Sequence, residues 1–120
     1  MPRWTDNHCH LRGDAEQARA TVEEARDAGV ERLVDVGTDL ASSHAAVERA
    51  AVLDGVWATA GVHPHDAAGG IKGLADLLTR PEVVAVGECG LDYHYDHSPR
   101  DTQRAVFAAQ IALAHEHGLP

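Results

Sequence analysis

The chain has 120 residues, 44% of them apolar and 24% charged, with a formal net charge of -9. These proportions belong to a globular protein and exclude a disordered tail or a fibre, and the negative balance excludes a broad cationic face for holding a nucleic-acid backbone, so any phosphate contact has to be local. No stretch approaches the ~20 consecutive apolar residues of a membrane span, and Met1-Pro2-Arg3-Trp4-Thr5-Asp6 lacks the apolar core of a signal peptide, so a cytoplasmic location with no membrane partner is expected.

In chain order, apolar β-branched runs alternate with helical patterns four times, with no Pro/Gly/Ser-rich linker between them, which is the signature of parallel βα units. The first strand is expected near Arg3 to His8. A helix follows from about Asp14 to Ala28, capped by Asp14 with Gln17 three residues on and stopped by Gly29. The second strand is expected over Arg32 to Val36 and its helix over Ala41 to Leu53. The third strand should run from Val56 to Val62; Ala67-Ala68-Gly69-Gly70 reads as loop and Ile71 to Thr79 as a short helix before Pro81. The fourth strand, Val83 to Gly87, is continuously apolar, as expected of a strand buried on both faces. A helix from about Asp101 to His117 carries Phe107, Ile111 and Ala114 on one stripe and closes at Gly118.

The fold class expected is therefore α/β, a TIM-type β/α barrel of which residues 1-120 supply the first four βα units as one N-terminal portion of a single domain. A complete eight-stranded barrel takes ~250 residues, so Leu119-Pro120 is expected to open a fifth strand and the chain to be a fragment. Four strands without closure expose sheet edges, and self-association is expected of such a portion.

A β/α barrel assembles its active site at the carboxyl ends of its strands. Polar residues gather there: Asp6-Asn7-His8-Cys9-His10 after the first strand, Gly61-Val62-His63-Pro64-His65 after the third, Gly87-Glu88-Cys89-Gly90-Leu91-Asp92-Tyr93 after the fourth. Thr38-Asp39 after the second is a milder signal that doubles as a helix cap. His8 and His10 lie two apart, so an extended backbone points both imidazoles to one face and Cys9 to the other. Two such nitrogens are half a metal site, and Glu88 can add one oxygen and bridge a second cation with the other. Asp6 shares the parity of His8 and is placed to orient it. An H-x-H pair alone is weak evidence, since strand-end histidines are often merely polar; together with Gly-Glu and His-Pro-His at two other strand ends it favours a metal site. His63 is expected to contact substrate or phosphate rather than serve structure alone, and His65 stays open between the two roles. His94, His97, His115 and His117 are expected at the surface or as helix C-terminal charge. Cys9 and Cys89 are too few for a disulfide framework and are expected as small buried residues.

Those motifs, together with Gln103, Phe107, Gln110 and Gly118-Leu119-Pro120, resemble the TatD-type metal-dependent deoxyribonucleases over essentially the whole chain. The resemblance implies that His8 and His10 bind a divalent cation, that Glu88 binds or bridges two, and that His63 lies near the scissile phosphate, with Asp6 and Asp92 supporting these groups. It implies a DNA or nucleotide phosphodiester as substrate, 3'-5' exonuclease chemistry and two cations per complete site, with magnesium or manganese supporting turnover; imidazole ligands favour zinc, manganese or iron on affinity grounds, so Mg, Mn or Zn is expected. It further implies two histidines and an aspartate beyond the span of this chain. Asn7 and Arg12 depart from the family pattern, which has Ser or Thr and an acidic residue there; His94 stands where an aromatic is common. Two rival readings are an amidohydrolase-like barrel acting on another substrate, disfavoured because Lys72, the only lysine, is not at a strand end, and a non-catalytic half-barrel that binds a partner or a second copy.

Overall fold

In a computed structural model describing residues 1–120, four strands and four helices alternate. The order is β1 (Trp4–Cys9), α1 (Ala15–Asp27), β2 (Val30–Val36), α2 (Leu40–Val52), β3 (Val56–Ala60), a 3-10 helix (Pro64–Gly69), α3 (Leu74–Leu77), β4 (Val83–Val86) and α4 (Arg100–His117). The strands lie side by side as β1-β2-β3-β4, every neighbouring pair parallel. A parallel pair needs a crossover, and the helices supply it.

Alternation within the strands sorts the two faces of the sheet. Leu33, Val56, Ala58, Ala60 and Val83 join Ala18 and Val22 of α1, Ala46, Val47 and Ala50 of α2, and Leu74 and Leu77 of α3 in one apolar cluster. Trp57, between Val56 and Ala58, points to the opposite face and is 43% exposed. Helices thus cover one face of the sheet, while the other is where His8 and Glu88 meet.

The helix ends follow from local chemistry. Asp14 caps α1 in a full capping box with Gln17, and Gly29, at φ 95°, turns the chain from α1 into β2. Asp39 caps α2 by accepting from the Ser42 N–H at 2.7 Å. The third unit departs from the sequence expectation. The strand stops at Ala60, the next residues after His63 coil into the 3-10 helix where a loop was expected, and α3 is a single turn. Pro64 starts that coil with its fixed φ, and buried Pro64 and Ala67 hold it down.

Two buried glutamines of α4, seven residues apart, tie the loops to the sheet. Gln110 accepts from Val62 N–H at 2.8 Å and donates to Val62 C=O at 3.0 Å, which replaces the strand pairing that β3 has lost by that point. Gln103 accepts from Asp92 N–H and donates to the carbonyls of Asp92 and Ser98, fixing the loop after β4. Past α4 the chain returns to the free edge of β4, where Pro120 C=O accepts from Val86 N–H at 2.9 Å, in the place expected for a fifth strand.

Candidate metal centre

Glu88 comes from β4 and the two histidines from β1, at opposite edges of the sheet. They meet because the chain steps sideways after β4. Gly87 N–H donates to Ala60 C=O beside β3, and Glu88 N–H donates at 2.6 Å to Gly37 C=O beyond β2, two strands over. The close approach of the loops depends on glycine. A Cβ on Gly61 would lie 2.5 Å from the carbonyl carbon of Gly87.

The outcome is a cluster in which Glu88 Oε2 lies 3.3 Å from His8 Nε2 and 4.0 Å from His10 Nε2, while Glu88 Oε1 lies 3.6 Å from His63 Nε2. Donor atoms of His8, His10 and Glu88 all fall within 4.8 Å of one another. Two nitrogen or oxygen ligands of one cation sit at most ~4.2 Å apart for bonds of ~2.1 Å, so the set closes on a cation with small rotations of half-exposed side chains.

The hydrogen bonds decide which nitrogens can serve. His10 Nδ1 lies 2.9 Å from Val36 C=O. A carbonyl only accepts, so Nδ1 carries the proton and Nε2 presents a lone pair to Glu88. A lone pair and a carboxylate oxygen facing each other need a cation or a proton between them, and a ring N–H held by a backbone carbonyl is the usual support of a metal-binding imidazole. His63 is the reverse case: its Nδ1 accepts from His65 N–H at 3.0 Å, so the neutral ring carries its proton on Nε2 and offers a donor to the cluster. The residues present thus fit a divalent cation at His8, His10 and Glu88, with His63 as a donor beside it.

Neighbouring groups position these side chains. Asp6 Oδ1 accepts from His8 main-chain N–H at 3.1 Å, so it fixes the backbone of His8 rather than its ring. Buried Asp35 and Arg49 brace the loop after β1: Asp35 accepts from Leu11 N–H at 3.1 Å and from Arg49 Nε at 2.7 Å, and Arg49 donates to Gly13 C=O at 2.7 Å. Ser43 does the same after β3, accepting from Gly61 N–H and donating to Gly61 C=O. Asp92 touches none of the cluster residues. Its carboxylate meets His65 Nε2 at 2.5 Å and accepts from the N–H groups of His94 and Tyr95. Partial burial pushes the Asp92 carboxyl up, but those hydrogen bonds together outweigh it and hold it below its ordinary value. The His65 ring also packs edge-on against His63 and the exposed His97.

Both cysteines are half-buried and unpaired. Burial first, then the charges of Asp6 and Asp35, push the Cys9 thiol up to about 11, and burial followed by the Glu88 charge raises that of Cys89. Cys9 Sγ donates to Val34 C=O at 3.4 Å and Cys89 Sγ to Val86 C=O at 3.8 Å. Nothing in the sequence singled out Ser43, the Asp35–Arg49 pair or the clamping role of Gln103 and Gln110, although Gln103 and Gln110 stand out as polar residues on the inner side of an otherwise amphipathic helix.

Parallel βα units with imidazoles and a carboxylate converging at the carboxyl ends of their strands define a β/α-barrel protein of the metal-site class. The chain belongs to the TatD-related DNase family, whose pattern matches residues 5–120. It is 44% identical over 103 residues to the 3'-5' ssDNA/RNA exonuclease TatD of Klebsiella pneumoniae (strain 342), a match covering 82% of this chain and 39% of the relative. It is 42% identical over 123 residues to the uncharacterized metal-dependent hydrolase YabD of Bacillus subtilis (strain 168), covering 96% of this chain and 48% of the relative. The chain thus spans less than half the length of these curated relatives. The crystal structure of YJJV, a TatD homolog from Escherichia coli K12, matches with a TM-score of 0.84 at 26% identity over 98% of this chain and 49% of that one. A TatD-family hydrolase from Entamoeba histolytica, 21% identical with a TM-score of 0.75, shares the fold. No helix here is long and apolar enough to cross a membrane.

Proposed function

We propose that this chain contributes the cation-binding and phosphate-contacting part of a divalent-metal-dependent phosphodiesterase that removes nucleotides from the 3' end of DNA. The observation that carries the proposal is the opposed protonation of two imidazoles around one carboxylate: His10 turns a lone pair, and His63 an N–H, toward Glu88. A site with a cation on one side and a hydrogen-bond donor on the other suits a phosphodiester, whose two non-bridging oxygens need both. The exonuclease named in the Klebsiella relative supports the choice of nucleic acid as substrate.

In this scheme His8, His10 and Glu88 would hold the cation, and the second carboxylate oxygen of Glu88 would be available to another. When bound, divalent cations neutralise phosphate charge and let a water ionise near neutral pH; magnesium, manganese and zinc are the candidates, imidazole favouring the later metals. His63 Nε2–H would hydrogen-bond a phosphoryl oxygen and the developing charge on the departing 3'-oxygen while keeping its proton, the leaving oxygen taking its proton from water. His65, held by Asp92, keeps its main-chain N–H on His63 Nδ1 and so keeps the proton on the side that faces substrate. Net charge of -9 confines attraction for the nucleic acid to this site.

The test is titration of magnesium, manganese or zinc into the chain, with and without a single-stranded oligodeoxynucleotide. Metal binding should be lost in Glu88→Gln, and His63→Ala should weaken the oligonucleotide while leaving metal affinity intact. A folded chain that binds none of the three metals, or whose bound metal leaves its affinity for the oligonucleotide unchanged, overturns the proposal.

A further inference from the structure

Two clefts flank the cluster: His10 lines the first, and the second reaches the cluster only through His65, whose ring packs against His63. One, of about 410 Å³, lies between the loop after β1 and the start of α1 and is lined by His10, Leu11, Arg12, Gly13, Gln17 and Thr21. The other, of about 540 Å³, lies between the loops after β3 and β4, where His65 and Lys72 share the wall with Asp39 and Asp66. Both are of a size to take a nucleotide unit. Their charge differs: two carboxylates offset the lysine in the second, whereas no carboxylate lines the first.

Arg12 is also set apart by what it does not bond. Arg3, Arg19, Arg49, Arg80, Arg100 and Arg104 each face a carboxylate, and Arg26 donates to Asp54 C=O. Arg12 and Arg32 are the two arginines left without a partner in the protein, and Arg32 stands near the start of β2, at the end of the sheet away from the cluster. An acidic chain that engages seven of its nine arginines therefore leaves one guanidinium free in the cleft it shares with His10. A guanidinium grips phosphate through two parallel N–H donors, which suits it to this task better than an ammonium.

We propose that the Arg12 cleft is the subsite for the phosphate next to the one being cut, so that the preferred ligand is a polynucleotide strand rather than an isolated phosphodiester. The inference rests on the phosphodiesterase reading above and specifies its substrate. The strand leaves the cluster on the β1 side, past Arg12, and away from Asp39 and Asp66.

The test compares the full chain with Arg12→Ala and with Arg32→Ala, which removes the same charge at the other end of the sheet. Both side chains are exposed and unbonded, so neither substitution removes a contact that holds the fold. Binding of a fluorescein-labelled single-stranded oligodeoxynucleotide in calcium is followed by anisotropy over a salt series. Arg12→Ala should reduce the slope of log Kobs against log salt by about 0.7, the signature of one lost phosphate contact on a single strand. It should also weaken binding at low salt about tenfold, while Arg32→Ala leaves the slope in place. In manganese, the ratio of kcat/KM for the oligonucleotide to that for bis(p-nitrophenyl) phosphate should fall about tenfold in Arg12→Ala. An unchanged slope in Arg12→Ala, an equal loss in Arg32→Ala, equal losses on both substrates, or no binding of the oligonucleotide by the native chain overturns the subsite. Binding with an Arg12-dependent slope that is the same with EDTA as with calcium, and the same in Glu88→Gln, sustains the subsite and sinks the cation-dependent phosphodiesterase reading instead.

Discussion

Replacing Arg49 with Met tests how the site is held in place. Arg49 is 7% exposed and Asp35 1% at their side chains. The substitution keeps much of the packing volume but removes the Nε–Oδ2 contact of 2.7 Å and the bond to Gly13 C=O, also 2.7 Å. Asp35 is then a buried carboxylate whose one remaining bond is to Leu11 N–H. Stripping one partner from a buried ion pair costs about 3–5 kcal/mol because the other charge is left without compensation. Against the ~5–15 kcal/mol that holds a domain together, this is a large share. Asp35→Asn should relieve part of that cost in the double variant, since the amide oxygen still accepts from Leu11 N–H while the unpaired charge is gone. Urea unfolding followed by circular dichroism gives both free energies. Leu11 and Gly13 lie within three residues of His10, so manganese affinity should fall in Arg49→Met as well. A loss below ~1 kcal/mol, the worth of an exposed pair, or a double variant no more stable than Arg49→Met, refutes the reasoning.

Gly61→Ala forces a Cβ to within 2.5 Å of the Gly87 backbone, which cannot yield as a side-chain tip would; thermal unfolding should show a cost of about 1–3 kcal/mol, and metal affinity should drop because Glu88 is the next residue. Asp39 should contribute pH-dependent stability. Hydrogen bonds from Ser42 hold its folded pKa below the ordinary value near 3.9, so its contribution is complete above that value and is lost as the pH falls through the lower folded one. Asp39→Ala should cost about 1 kcal/mol at pH 7, measured by urea unfolding, and the difference from the native chain should vanish in acid. Native Cys9, with its pKa near 11, should resist iodoacetamide at pH 8 and react quickly once urea is added; rapid alkylation of the folded protein contradicts its burial.

The elements with strong periodicity or recognisable caps were legible in the sequence. Asp14, Asp39 and Gly118 end their helices as expected, and the two-residue spacing of His8 and His10 puts both rings beside Glu88. The third unit was not legible, because its backbone is satisfied from a distance. Val62 looks like strand in the sequence but pairs with the Gln110 side chain forty-eight positions later, and a local pattern carries no sign of such a partner. Asp92 was expected to support the cluster, but the route was out of reach: the loop pinned by Gln103 turns its carboxylate to His65, whose main-chain N–H meets His63. The tautomers of His10 and His63 required coordinates, since each is set by one backbone group from elsewhere in the chain or its own turn.

Anomalous diffraction from a crystal of the chain soaked in manganese tests the central claim most directly. A peak ~2.0–2.3 Å from His8 Nε2, His10 Nε2 and a Glu88 oxygen, with His63 left outside the coordination sphere, is the result expected. No peak between the three side chains in a well-ordered crystal, or a cation ligated by His63 Nε2 in place of His10, contradicts it.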